Sequence, residues 1–136
     1  PEPFPGRASE GGVVLDHLET GRHGEALAEK YFRDKGWIIL GRNVRVRGGE
    51  LDIVALDSGE LVVIEVRTRS IGTILPAEET VGPRKLKVLI RSGRIYVEKC
   101  RWAGPWRIDL LGINLDPDGS PVLVHLPDIT AGRIGA

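Results

Sequence analysis

The sequence predicts a single α/β domain in which a mixed central β-sheet is flanked by two helices. Three observations carry that prediction. At 136 residues the chain has the size of one domain and can bury a core without disulfides or a structural metal. Two segments, about 21–35 and 83–100, repeat apolar residues at helical spacing. Between and after them run short stretches rich in β-branched residues, separated by glycine pairs and an Asp-Ser-Gly turn.

The opening, PEPFPGRASEGG, reads as a leader over residues 1–18 with little apolar material to tie it down. In GRHGEALAEKYFRDKGW, Leu27, Ala28, Tyr31 and Phe32 make an apolar stripe and Gly36 is the stop, which gives the first helix. The runs WIIL, NVRV and LDIVAL follow as strands, with Gly41 and Gly48-Gly49 permitting a bend, a bulge or a turn. Asp57-Ser58-Gly59 turns the chain into LVVIEVRTR. Pro83 suits the first position of the second helix, in which Leu86, Leu89, Ile90, Gly93 and Val97 form the core face. Arg84, Lys87, Arg91 and Arg94 recur on another side of it. Strands at 106–113 and 122–126 complete a domain over 19–128, with residues 129–136 as a tail.

Nineteen basic and nineteen acidic residues cancel, so bulk charge argues for no class of partner. The single cysteine, Cys100, cannot close an internal disulfide or build a zinc knuckle, and a reducing cytoplasm fits best. The N-terminal residues lack the basic-then-apolar layout of a secretory signal. No apolar run approaches the roughly 18 residues of a membrane span, so a membrane partner is not expected.

Charge is nevertheless concentrated inside two strands that otherwise read as core. Glu50 and Asp52 interrupt GGELDIVAL, and Glu65 and Arg67 interrupt LVVIEVRTR. An unpaired buried carboxylate costs several kcal/mol, on the order of its desolvation, or it neutralises itself. A two-residue turn at Ser58-Gly59 would pair Asp57 with Glu60, and the same register sets Asp52 opposite Glu65 and Glu50 opposite Arg67 on one face. Directly opposed carboxylates are close enough to share a proton or a divalent cation. Hard oxygen ligands suit Mg2+ or Mn2+ with substrate phosphate oxygens, which points to phosphodiester chemistry. The plainer alternative is a set of ion pairs on a solvated sheet face, Glu50 with Arg67 and Asp52 with Arg45 or Arg69.

Gly21, His23, Gly24, Glu25 and Ala28, then Arg42-Asn43, then Gly49-Glu50-Leu51-Asp52, then Glu65-Val66-Arg67-Thr68-Arg69, then a helix carrying Lys85, resemble the YraN-like uncharacterised bacterial family over about residues 21–125. That family is similar to restriction-endonuclease-like nucleases of the PD-(D/E)xK superfamily and to archaeal Holliday junction resolvases. The resemblance implies a restriction-endonuclease-like fold and a nuclease acting on branched or damaged DNA. It also implies Mg2+ or Mn2+ as cofactor and a homodimer as assembly. Carried over by position, Asp52 and Glu65 are the metal ligands and Glu25 supports them. Where the superfamily pattern has Glu-x-Lys, this chain has Glu65-Val66-Arg67. Arginine keeps the charge and grips a phosphate, but its pKa above about 12 prevents it from acting as a base. Either Arg67 suffices electrostatically or Lys85 reaches the site from the second helix.

Between Val81 and Arg107 eight basic residues face Glu98 alone, a patch suited to a phosphate backbone or simply a solvated helix face. Arg45 and Arg47, with Arg42, form a smaller basic stripe, and Arg69 extends the third strand. Two other functions therefore stand beside the nuclease: a DNA-binding module that has lost cleavage, and a protein-interaction domain. His23 reads as a cap or surface residue, His17 and His125 as less informative still. Trp37, Trp102 and Trp106 read as anchors of core edges, and Gly21 and Gly24 as close-packing positions.

Overall fold

The computed structural model describes residues 17–70, 75–132 and 134. The leader expected over 1–18 lies outside them as far as residue 16. The chain forms α1 (His17–Asp34), β1 (Ile38–Val46), β2 (Gly49–Asp57) and β3 (Glu60–Arg69), then a single 3-10 turn (Ala77–Glu79), α2 (Pro83–Lys99), β4 (Trp106–Leu115) and β5 (Pro121–Leu126). The strands lie side by side in chain order. All neighbours run antiparallel except β3 and β4, which are parallel because α2 carries the chain back across the sheet between them. The α/β class, the mixed sheet and both helices are as the sequence predicts.

One helix covers each face. Ala28 and Phe32 of α1 pack on Ile53, Ala55, Val62, Ile64, Leu111 and Ile113. Leu89 and Val97 of α2 pack with Leu51, Val54, Leu61, Val63 and Ile108. Two glycines let these helices approach closely. A Cβ at Gly93 would stand 2.5 Å from Cζ3 of Trp106, and one at Gly24 would stand 2.6 Å from Oγ1 of Thr68. Trp37, Trp102 and Trp106 edge the two cores.

The β2–β3 turn is Ser58-Gly59, with φ of 51° and 88°, the two positive values that a tight hairpin turn of this hand requires. Asp57 pairs with Glu60, and the predicted register runs to Ile53 opposite Ile64. At the other hairpin Gly48 (φ 80°) resolves as a turn between Val46 and Gly49, while Gly41 takes part in a bulge after Ile39.

Described residues of the expected C-terminal tail rest on the domain. The Ile129 amide donates to the Ile108 carbonyl at 2.8 Å, Thr130 is buried, and Ile129 and Ile134 pack against the α2-side core. A short isolated turn with two isoleucines is poorly distinguished from a tail until β4 offers it a carbonyl and an apolar edge.

Candidate functional site

The alternation of side chains breaks at one step across β1 and β2. Ile53 belongs to the α1-side core, yet Leu51, two residues earlier, belongs to the α2-side core. A regular strand would put both on one face. The same reversal occurs on β1, where Arg42 reaches Glu29 of α1 and Val44 packs on the α2 side. Arg42 pairs with Ile53 and Val44 with Leu51, so the two breaks, at Asn43 and Asp52, face each other. Asn43 has a left-handed φ of 52°.

Beyond this step β2 and β3 cease to pair, and Asp52 fills the opening with its side chain. Its Oδ2 accepts the Val66 amide at 2.9 Å, taking the place of a strand partner. Glu65 is the next residue of β3 after the ladder ends. It is only 5% exposed, and its carboxyl shares a hydrogen bond with that of Asp52. The predicted meeting of Asp52 and Glu65 therefore occurs, through their side chains rather than through a continued ladder.

Burial pushes the Glu65 carboxyl up to about 7, and the charge of Asp52 adds to the shift. Two cations oppose it. Arg67 Nε lies 3.1 Å and Lys85 Nζ 3.8 Å from Glu65 Oε2. Of the two cations the sequence offers at this carboxylate, the fold brings both. Lys85 comes from the first turn of α2, while Arg67 shares the sheet face of Glu65 two residues on. The buried Nε of Arg67 makes no well-directed hydrogen bond despite its proximity to the carboxylate.

The expected pairing of Glu50 with Arg67 is not found. Glu50 lies opposite Arg45 on β1, with Arg45 Nε 3.9 Å from Glu50 Oε2, because the ladder that would have carried Glu50 to Arg67 stops at Ile53. Glu25 of α1 lies in the field of Asp52 and Glu50. Its carboxyl is raised chiefly by burial, a hydrogen bond from Asn43 opposing the shift. Glu25 does not complete a cage: among the described residues no three His, Cys, Asp or Glu side chains converge as a metal-holding group. A hard cation here would rest on Asp52 and Glu65, with water and substrate oxygens filling the remaining positions, a mode suited to Mg2+ or Mn2+. That donor set is all oxygen.

Arg84, Lys87, Arg91 and Arg94 all lie exposed on α2, opposite its buried Leu89, Gly93 and Val97. Arg91 approaches the β1–β2 turn: its Nη2 is 3.9 Å from where a Cβ on Gly48 would stand, which brings Arg47 of that turn toward the helix stripe. Arg45 and Arg47 are exposed, and Arg69 is half-buried with Nη1 3.3 Å from the Thr68 carbonyl. Arg107 leaves the patch. It is held by Asp57 (3.1 Å), Glu60 (2.7 Å) and the fully buried Asp109 (2.9 Å). His23, expected as a cap or surface residue, lies within α1 and is half-buried.

That Arg107 cluster was not foreseen. Asp109 also accepts from His125 Nε2 at 2.8 Å and from the Asp128 amide at 2.8 Å. Burial pushes the Asp109 carboxyl up, but these bonds and the guanidinium outweigh it and hold the carboxyl below its ordinary value. The signal lay in WRIDLLGINL, where an acid interrupts a core strand in the same way as Asp52 and Glu65. Asn43 and the buried Ser92, whose Oγ presses on Gly49, had no comparable signal.

The fold and site define an α/β protein whose sheet opens at a buried glutamate and a half-buried aspartate, with an arginine and a lysine on the glutamate. The chain belongs to the uncharacterised protein family UPF0102, whose family model matches residues 24–113. A UPF0102 protein of Porphyromonas gingivalis is 42% identical over 107 residues, 79% of each chain. One from Dehalococcoides mccartyi is 46% identical over 105 residues, 76% of this chain and 86% of its own. Another, from Pseudarthrobacter chlorophenolicus, is 40% identical over 117 residues, 85% of this chain and 89% of its own. Among solved structures, Pyrococcus furiosus SfsA in complex with Ca2+ aligns at 16% identity with a TM-score of 0.41, over 85% of this chain and 65% of that one. This chain thus spans less than two thirds of that protein's length. Among the described residues no helix is long and apolar enough to cross a membrane.

Proposed function

We propose that this chain is a nuclease-like protein that binds DNA and cleaves it with Mg2+ or Mn2+ held by Asp52 and Glu65. The observation that carries the reading is the buried Glu65 carboxyl against Asp52, at the mouth of an opened sheet and beside two cations. When bound, the metal would activate a water for in-line attack and stabilise charge on the scissile phosphate. The chain's own residues do the rest. Arg67 and Lys85, both beside Glu65, place positive charge where a phosphate would enter. Arg84, Lys87, Arg91 and Arg94, with Arg45 and Arg47 across the turn, hold the phosphate backbone without reading bases. Arg69 extends the charge along β3. Branched or damaged DNA as the substrate and a homodimer as the acting form follow from the family resemblance. The unpaired, exposed Cys100 is in keeping with a reducing cytoplasm.

A second reading has its own support. Arg67 stands where a lysine could serve as a base and cannot lose its proton at neutral pH, which favours a module that binds DNA without cutting it. Incubation of the purified chain with duplex, flap and four-way DNA, with and without Mn2+, separates the two. Metal-dependent cutting abolished by both Asp52→Ala and Glu65→Ala supports the nuclease, and cutting that survives both sinks the assigned site. Salt-sensitive binding without cutting favours the binding module. No binding at low salt leaves a protein-interaction domain.

A further inference from the structure

Arg67 Nε lies 3.1 Å from Glu65 Oε2 without a well-directed hydrogen bond, so that contact alone does not fix where the guanidinium points. Its neighbour on β4 bears on this. Arg67 pairs with Gly112 on the parallel ladder, and side chains at such positions leave the same face of the sheet about 4.8 Å apart. Gly112 has no side chain, and the 3-10 turn takes the place of one. A Cβ there would stand 2.8 Å from the Glu78 amide nitrogen and 2.9 Å from Glu78 Oε1. Glu78 thus fills the space beside the stem of Arg67, and its carboxylate is a second one able to draw the guanidinium.

Asn114, two residues beyond Gly112 on the same face, grips that turn with both ends of its amide. Its Oδ1 accepts the Ala77 amide at 2.7 Å, and its Nδ2 donates to Glu78 Oε1 at 2.8 Å. These partners leave one orientation of the amide, since a backbone N–H only donates and a carboxylate only accepts. Ala77 is fully buried, and Thr80 closes the turn by donating its amide (3.2 Å) and its hydroxyl (2.7 Å) to the Ala77 carbonyl.

We propose that Asn114 is a positioning residue for Arg67: it docks the Ala77–Glu79 turn over Gly112 and ties up the Glu78 carboxylate, so that Arg67 stays turned to Glu65, where a phosphate would enter. The role rests on reading Asp52 and Glu65 as a cation site for phosphodiester chemistry. Asn114 acts through the turn and through Arg67, and itself meets neither metal nor substrate.

An isosteric exchange in the full chain tests it. Asn114→Asp keeps the acceptor for Ala77 and sets an oxygen against Glu78 Oε1. Adding Glu78→Gln restores the donor–acceptor pair with the roles reversed. Without metal, the Arg67 Nε–H cross-peak, assigned by its loss in Arg67→Lys, is expected to shift in Asn114→Asp and to return in the double variant. With Mn2+ and the DNA that the unaltered chain cuts, kcat is expected to fall about tenfold in Asn114→Asp with KM unchanged, and to recover in the double variant. A cross-peak that Asn114→Asp leaves in place, or that the second substitution does not bring back, overturns the positioning role. So does an unchanged kcat or a loss confined to KM. No Mn2+-dependent cutting by the unaltered chain overturns the nuclease reading itself, and the Nε–H signal still decides whether Asn114 holds Arg67.

Discussion

Replacing Glu65 by glutamine keeps the shape of a buried side chain and removes its ability to ionise. Glu65 is held up to about 7 by burial and by Asp52, from an ordinary value of 4.5. Each pH unit of such a shift corresponds to about 1.4 kcal/mol, so the ionised carboxylate costs about 3 kcal/mol of folding stability once the pH exceeds both values. Because the folded value is the raised one, the full stability is present below the unfolded value and is lost as pH rises through the folded value. The unaltered chain without added metal is therefore expected to lose stability between about pH 5 and pH 8, by this amount. Glu65→Gln is expected to flatten that loss and to unfold about 10 °C higher than the unaltered chain at about pH 8. Thermal unfolding at a series of pH values reads this directly. A Gln variant that is less stable than the unaltered chain at pH 8 would refute the reasoning, because it would mean that Arg67 and Lys85 overcome the burial of the carboxylate. The same variant is expected to lose Mn2+ uptake, so that added stability and lost binding appear together.

Asp52→Asn removes the neighbouring charge, and the Glu65 midpoint, followed by carboxyl-carbon NMR, is expected to fall toward 4.5; an unmoved midpoint would show that the two carboxyls do not interact. Gly93→Ala drives a methyl into Trp106, which lies 2.5 Å away, and is expected to cost about 2 kcal/mol or more in urea unfolding, with a null effect indicating that α2 can retreat freely from β4. Asp109→Asn leaves Arg107 and His125 without their buried partner and is expected to cost about 3 kcal/mol; preserved stability would show the cluster to be dispensable. For DNA binding, the joint change of Arg84 and Arg91 to alanine is expected to reduce the salt-dependence slope by about two, while an unchanged slope would place the backbone elsewhere.

Much of this architecture could be read from local patterns. The helical stripes of α1 and α2 each serve one face of one sheet, and the Ser58-Gly59 turn determines the β2–β3 register by loop length alone. The meeting of Asp52 with Glu65 follows from that register. What the register could not show is its own end, because the reversal at Asn43 and Asp52 needs β1, β2 and α1 present together. For that reason Glu50 was expected at Arg67 and is instead beside Arg45. Arg107 illustrates the complementary limit. By composition it belongs to the basic stretch, yet its side chain is committed to Asp57, Glu60 and Asp109, three acids drawn from β2, β3 and β4. Only the parallel pairing of β3 with β4 brings them together.

The cation site is tested most directly by crystals of the chain soaked in Mn2+ and measured at the manganese absorption edge. The account predicts one anomalous peak between the carboxylates of Asp52 and Glu65, with Lys85 Nζ withdrawn from Glu65. Absence of a peak there, with Lys85 and Arg67 still closed on Glu65, would contradict it.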